Sequence, residues 1–192
     1  MFSSSKTLIV AAALMCATPL AAQETAGEAA TDLNLGAPVA AEPQVGQPFI
    51  REVNGDWAIR CLKAEEGSPD PCQLYQLLSD EDGNAVAEIS MFPIAGEGQA
   101  AAGATIVVPL ETLLTEQLTL SVDGGAARTY PFNFCNAAGC VARLGFTDET
   151  VTAFKRGNTA NLRIVPAAAP DQPVNLTISL TGFTAGFDAA GN

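Results

Sequence analysis

Thr129-Tyr130-Pro131-Phe132-Asn133-Phe134-Cys135-Asn136-Ala137-Ala138-Gly139-Cys140-Val141-Ala142-Arg143-Leu144-Gly145-Phe146 is the stretch on which the fold turns. Tyr130, Phe132 and Phe134 alternate with Pro131 and Asn133, the period of two that turns one face of a β-strand inward. Residues 141–146 read as a further strand, and Asn136 to Gly139 between the two are turn-like. Cys135 and Cys140 bracket that turn, as Cys61 and Cys72 bracket Gly67-Ser68-Pro69-Asp70-Pro71. Four cysteines in an oxidising compartment allow three pairings, among which spacing alone does not choose. Nearest-neighbour bridges, Cys61 to Cys72 and Cys135 to Cys140, are expected because each would clip a local loop. Such short closures contribute roughly 2–3 kcal/mol apiece.

Working outward, Trp57, Ile59 and Cys61 alternate with Ala58 and Arg60 in the same way. Short apolar or alternating runs at 73–79, 85–92, 104–108, 118–123, 161–166 and 174–181 bring the expectation to about nine strands. Asp82-Gly83-Asn84 and Asp123-Gly124-Gly125 supply residues that tolerate positive φ, as tight antiparallel hairpins require. One segment, 147–157, reads as a helix. Thr147 can cap it, Asp148 and Glu149 suit its start, Lys155 and Arg156 its end, and Gly157 stops it. Val151 and Phe154 would share the face that docks on the sheet. The expected fold is all-β: a two-layer antiparallel β-sandwich with one short helix, stabilised by disulfides.

Residues 1–22 read as a cleavable signal peptide, with Lys6, an apolar run from Leu8 to about Ala17, and cleavage after Ala22. The run is well short of the ~20 residues that cross a bilayer, so no membrane span is expected after cleavage. Cys16 follows Met15, where a lipid-modification site wants Gly, Ala or Ser, so a lipoprotein is disfavoured. Residues 23–48, rich in Ala, Glu, Gly, Pro and Thr, read as a flexible acidic leader. The folded domain is expected over 49–188. The expected location is the periplasm or the outer surface.

Loss of Lys6 leaves eight basic residues against 21 acidic ones. That balance argues against nucleic acid as a partner, which demands a basic footprint. The sequence contains no histidine, the commonest general base and transition-metal ligand. No cofactor, metal or catalytic residue is therefore assigned. Asp80-Glu81-Asp82-Gly83-Asn84 resembles the start of a calcium loop, but its glycine falls at the fourth position and Met91 stands at the twelfth, so a hairpin turn is the better reading. Asp56 beside Trp57 could be half of a carboxylate pair for glycoside hydrolysis, with Asp123 or Glu88 as partner. A turn residue beside a core tryptophan is the plainer account.

Gly55-Asp56-Trp57-Ala58-Ile59-Arg60-Cys61, then Cys72, then Phe132 to Ala142 with Cys135-x4-Cys140 and Gly139, and finally Ser179-Leu180-Thr181-Gly182-Phe183 resemble the invasion-associated locus B family of proteobacteria. The resemblance runs from Gly55 to about Asp188. Val108-Pro109-Leu110 also matches the family's central stretch, whereas Glu111 to Gln117 departs from its usual glycine and proline. The resemblance implies a small, secreted, disulfide-containing β-rich protein, with Gly55, Asp56, Trp57, Gly139, Leu180, Gly182 and Phe183 as structural motif residues. It brings no established catalytic residues. In pathogens such proteins are associated with host-cell invasion, so the implied partner is an unidentified envelope or host protein. A carboxylate-dependent envelope hydrolase is the alternative function.

Overall fold

A computed structural model of the chain describes residues 42–96 and 98–191; the expected signal peptide and residues 23–41 of the expected leader lie outside the described residues. Among the described residues eleven strands form two antiparallel sheets. The strands are β1 (Pro48–Asn54), β2 (Trp57–Leu62), β3 (Cys72–Ser79), β4 (Ala85–Pro93), β5 (Ala102–Val108), β6 (Leu118–Val122), β7 (Arg128–Tyr130), β8 (Phe132–Asn136), β9 (Gly139–Phe146), β10 (Thr159–Ile164) and β11 (Val174–Ser179). The larger sheet has the order β1-β2-β3-β4-β5-β9-β8, and the smaller β11-β10-β6-β7. The all-β class thus stands, and the sheets enclose one core.

Local chemistry accounts for most of these elements. In β2 the side chains of Trp57, Ile59 and Cys61 are buried while Ala58 and Arg60 are half-buried, so the alternation read from the sequence is the alternation in space. The turn after β6 places Asp123 and Gly124 at φ of +46° and +71°, and the Gly125 N–H closes it by donating to the Val122 carbonyl at 2.8 Å. Helix α1 (Asp148–Arg156) is capped by Thr147, whose side chain accepts from the Thr150 N–H, and it buries Val151 and Phe154. Gly157 ends it at an ordinary φ of −77°. Close approach explains that glycine better than a left-handed turn, since a Cβ there would lie 2.9 Å from Leu180 Cδ1 and from Val122 Cγ1.

Three features depart from the sequence reading. The expected strand 130–134 is two strands in two sheets, because the chain crosses between layers at Pro131. Proline has no N–H to donate to a ladder, so it sits where pairing changes hands. Nor does that stretch turn a single face inward. Tyr130 and Phe132 are half-buried but Phe134 is 44% exposed. The register slips between Phe132 and Phe134, and the Asn133 side-chain oxygen takes the Arg143 N–H at 2.6 Å. Strand β1 was not foreseen, since Ile50 to Val53 are all exposed and its pairing with β2 is broken by a bulge between Ile50 and Glu52. A second helix, α2 (Phe183–Ala190), adds to the one expected.

Helix α2 has no side-chain cap and contains Gly186, so local propensity does not build it; burial of Phe183, Gly186 and Phe187 does. Its phenylalanines join a run of rings through the core. Trp57 meets Phe183 edge-on at 5.4 Å, Phe183 meets Phe154 at 5.3 Å, Phe154 meets Phe146 at 5.4 Å, and Phe146 meets Tyr130 at 6.2 Å. The helices are tied to each other by Lys155 and Asp188 at 2.7 Å. Glu111 to Gln117, where the sequence departs from the family pattern, forms a 3-10 turn at Leu114–Glu116, with Gln117 at φ +56°. No helix among the described residues is long and apolar enough to cross a membrane.

Candidate functional site

The motif residues that lie farthest apart in sequence meet at one junction. Gly55 and Asp56 form the turn between β1 and β2, and it abuts the chain leaving β11. The Asp56 N–H donates to the Thr181 carbonyl at 3.1 Å, and the Ser179 hydroxyl donates to Asp56 Oδ2 at 2.5 Å. Trp57, fully buried, donates its indole N–H to the Ser179 carbonyl at 2.7 Å. Gly55 (φ +57°) and Gly182 (φ +82°) approach each other's backbone segments, and a Cβ on Gly55 would lie 2.5 Å from the Thr181 oxygen. Leu180 and Phe183 are buried beside them.

Gln76 completes the junction, and the sequence reading missed it. Its side chain donates to the Ser179 carbonyl at 3.0 Å and to the Asp56 carbonyl at 3.2 Å, and accepts from the Ser179 N–H at 2.9 Å. A glutamine among inward positions that are otherwise leucine was the available signal: in β3 it lies between Leu74 and Leu78. Gly139 belongs to a different place. It turns β8 into β9 at φ +146°, against the Val108 carbonyl. The disulfides join directly opposed residues, Cys61 with Cys72 across β2 and β3, and Cys135 with Cys140 across β8 and β9.

The three carboxylates weighed for hydrolysis are each engaged separately. Asp56 holds Ser179. Glu88 pairs with Arg60 at 3.3 Å on β4. Asp123 accepts from the backbone N–H groups of Asn158 and Thr159, at 3.1 and 2.9 Å, and so fastens the exit of α1 to the turn after β6. No two share a partner. In the Asp80 loop the carboxylate accepts from the Asp82 and Asn84 N–H groups and from the Asn84 side chain, which is hairpin chemistry. Those bonds, the Asn84 side chain first, hold its pKa below the usual 3.8. A carboxyl whose folded pKa is depressed stabilises above its unfolded value and loses that contribution as pH falls through the folded one. Amide exchange across this hairpin should therefore quicken in Asp80→Ala at neutral pH, and the difference from wild type should vanish in acid.

The two outer faces of the sandwich differ in chemistry. On the smaller sheet they are polar: Thr129, Thr119, Arg163 and Asn175 form one cross-strand row, and Ser121, Asn161 and Thr177 the next. On the larger sheet, Leu77, Glu88, Val107, Val141 and Phe134 form a row interrupted by one charge. Leu77 is 52% exposed there, and toward the β1 edge Ile50, Val53 and Leu62 are exposed too. Beside the row Arg60 lies 3.8 Å over the Tyr75 ring and donates to Ser90 Oγ at 3.2 Å. Burial, and next the Glu88 carboxylate, raise the Tyr75 pKa above its ordinary value. Within the row Val107 is half-buried and Val141 buried, so Leu77 and Phe134 are its apolar side chains open to water; exposed apolar patches mark interaction surfaces in soluble proteins.

A disulfide-clipped β-sandwich whose terminal Leu-x-Gly-Phe segment locks onto an opening Gly-Asp-Trp turn is the class this geometry defines. The sequence matches the family described as "Invasion associated locus B (IalB) protein" over residues 57–191, and the chain belongs to that family. It is similar to an invasion protein B homolog of Brucella abortus (strain 2308), with 28% identity over 144 residues, covering 74% of this chain and 80% of the relative. A homolog from Brucella abortus biovar 1 (strain 9-941) matches to the same extent, 28% over 144 residues. Among solved structures it is similar to invasion associated protein b from Bartonella henselae, with a TM-score of 0.60 and 25% identity, covering 72% of this chain and 94% of that one.

Proposed function

We propose that this protein is secreted, non-enzymatic and binds an envelope or host protein through the outer face of its larger sheet. The observation that carries this reading is the contrast between the two outer faces, one wholly polar and the other bearing Leu77, Phe134, Ile50 and Val53 in the open. Both faces meet water in the isolated domain, so solubility alone does not call for the difference. The two disulfides suit an oxidising compartment, in accord with a signal peptide at residues 1–22 followed by an acidic leader to residue 48. The names of the Brucella and Bartonella relatives connect them with invasion, and a role in contact with a host cell would use such a face directly. The hydrogen-bonded states of Asp56, Glu88 and Asp123 favour binding over hydrolysis, since each carboxylate already serves a structural partner.

Crosslinking and affinity recovery with residues 23–192 test the reading. The Leu77→Asp/Phe134→Asp variant should keep wild-type stability to within about 1 kcal/mol, because both side chains are exposed, and should lose the captured partner. Thr119→Asp/Thr177→Asp on the polar face should keep it. Capture that survives the first variant refutes the assigned face. Turnover of a glycan or peptide that disappears in Asp56→Asn or Glu88→Gln would replace binding by hydrolysis.

A further inference from the structure

We propose that the cleft between α1 and the edge of the smaller sheet binds a small zwitterion with an apolar side chain, that is, an apolar α-amino acid. The cleft has a volume of about 220 Å³ and opens to solvent. Ligand pockets for drug-sized molecules run from roughly 300 Å³ upward, so this one suits a single residue. Its lining combines the buried, apolar Leu120 and Phe154 and the hydroxyls of Ser121 and Thr150 with the half-buried Tyr130 and the exposed Arg128 and Glu149.

The rim charges come from two elements that are fixed independently. Arg128 and Tyr130 stand two apart on β7, opposite Leu120 and Leu118, so both turn to the interior side of the sheet. Tyr130 is held by its edge-on contact with Phe146. Glu149 rises from the first turn of α1, whose seat is set by the buried Val151 and Phe154. Among the described residues the ion pairs are Arg60 with Glu88, Lys63 with Asp70 and Lys155 with Asp188. Arg128 and Glu149 therefore line one cavity without pairing across it.

A ligand carrying both charges would satisfy both walls at once. Its carboxylate matches the planar fork of the Arg128 guanidinium, with the Tyr130 hydroxyl free to add a donor. Its ammonium group matches Glu149, and its side chain would cover Leu120 and Phe154. Burial raises the Tyr130 pKa, opposed by the nearby Arg128 charge. A ligand with only one charge would leave the other wall unmatched. This site lies apart from the proposed partner face and does not depend on it.

Titration of isotope-labelled residues 23–192 with L-leucine and L-phenylalanine, followed by amide chemical shifts, decides the matter. Saturable shifts are expected at Arg128 to Tyr130 and along α1. Isovalerate, which lacks the ammonium group, and isoamylamine, which lacks the carboxylate, should each bind at least about tenfold more weakly, the loss of one charged hydrogen-bonded contact. Arg128→Ala and Glu149→Gln should weaken leucine binding by a similar factor; both side chains are exposed, so circular dichroism should report an unchanged fold. The Leu77→Asp/Phe134→Asp variant should bind leucine as wild type does. Absence of saturable shifts, equal binding of the single-charge analogues, or shifts indifferent to both substitutions would overturn the proposal.

Discussion

Gly182→Ala should destabilise the domain by about 3–5 kcal/mol, and the same change at Gly46 by only about 1. The two glycines share a φ of +82°, so both variants carry the conformational cost of placing a Cβ in the left-handed region. Their surroundings differ. Around Gly46 nothing lies within 4 Å, whereas a Cβ on Gly182 would intrude on the carbonyl of Asn54 and the nitrogen of Gly55. Those are backbone atoms and cannot rotate away. Relief requires the turn between β1 and β2 to withdraw, which breaks the bond from the Asp56 N–H to the Thr181 carbonyl and loosens the Ser179 hydroxyl from Asp56. Urea denaturation of both variants measures the difference. Equal losses would mean that the junction yields without cost and that its glycines matter only for their dihedrals.

The second large effect is expected at Trp57. Truncation to alanine should cost about 3–5 kcal/mol, in the range for large aromatic side chains removed from a core. Trp57 is fully buried, packs on Phe183, and is the first ring of the run that reaches Tyr130. Trp57→Phe should cost less, about 1–2 kcal/mol, because it removes the indole N–H yet leaves the Ser179 carbonyl accepting from Gln76 at 3.0 Å. Adding Gln76→Ala to that variant takes away both side-chain donors. The pair should then lose more than the sum of the single changes, as neighbours sharing one acceptor do. Additive losses would show that the two donors act independently and that packing alone accounts for Trp57.

Much of the fold was legible where one local rule decides. Thr147, Asp148, Lys155 and Arg156 mark α1 because capping and the helix dipole act within a turn of the residue concerned. Asp123 and Gly124 mark a tight turn because positive φ is a property of the residue itself. The candidate sites were legible only in part. The motif residues could be picked out by resemblance, but that Gly55 and Asp56 close on Thr181 and Gly182, more than a hundred residues onward, is a contact that no window of sequence contains. Gln76 was overlooked for the same reason, since its partners Asp56 and Ser179 come from two other elements.

By itself, then, the sequence determined the class: alternating runs, turn residues and paired cysteines specify an antiparallel, disulfide-clipped β-domain, because period and turn chemistry are short-range. Only the tertiary structure decided which sheet each strand joins, as when Pro131 sends β7 to one layer and β8 to the other. It alone made a helix of Phe183–Ala190, whose stability is burial against Trp57 and Phe154 and not propensity. It also decided that Leu77 and Phe134 face water in one row while Arg128 and Glu149 face a common cleft. Exposure and juxtaposition depend on what the rest of the chain covers, and that is settled only when the layers have packed.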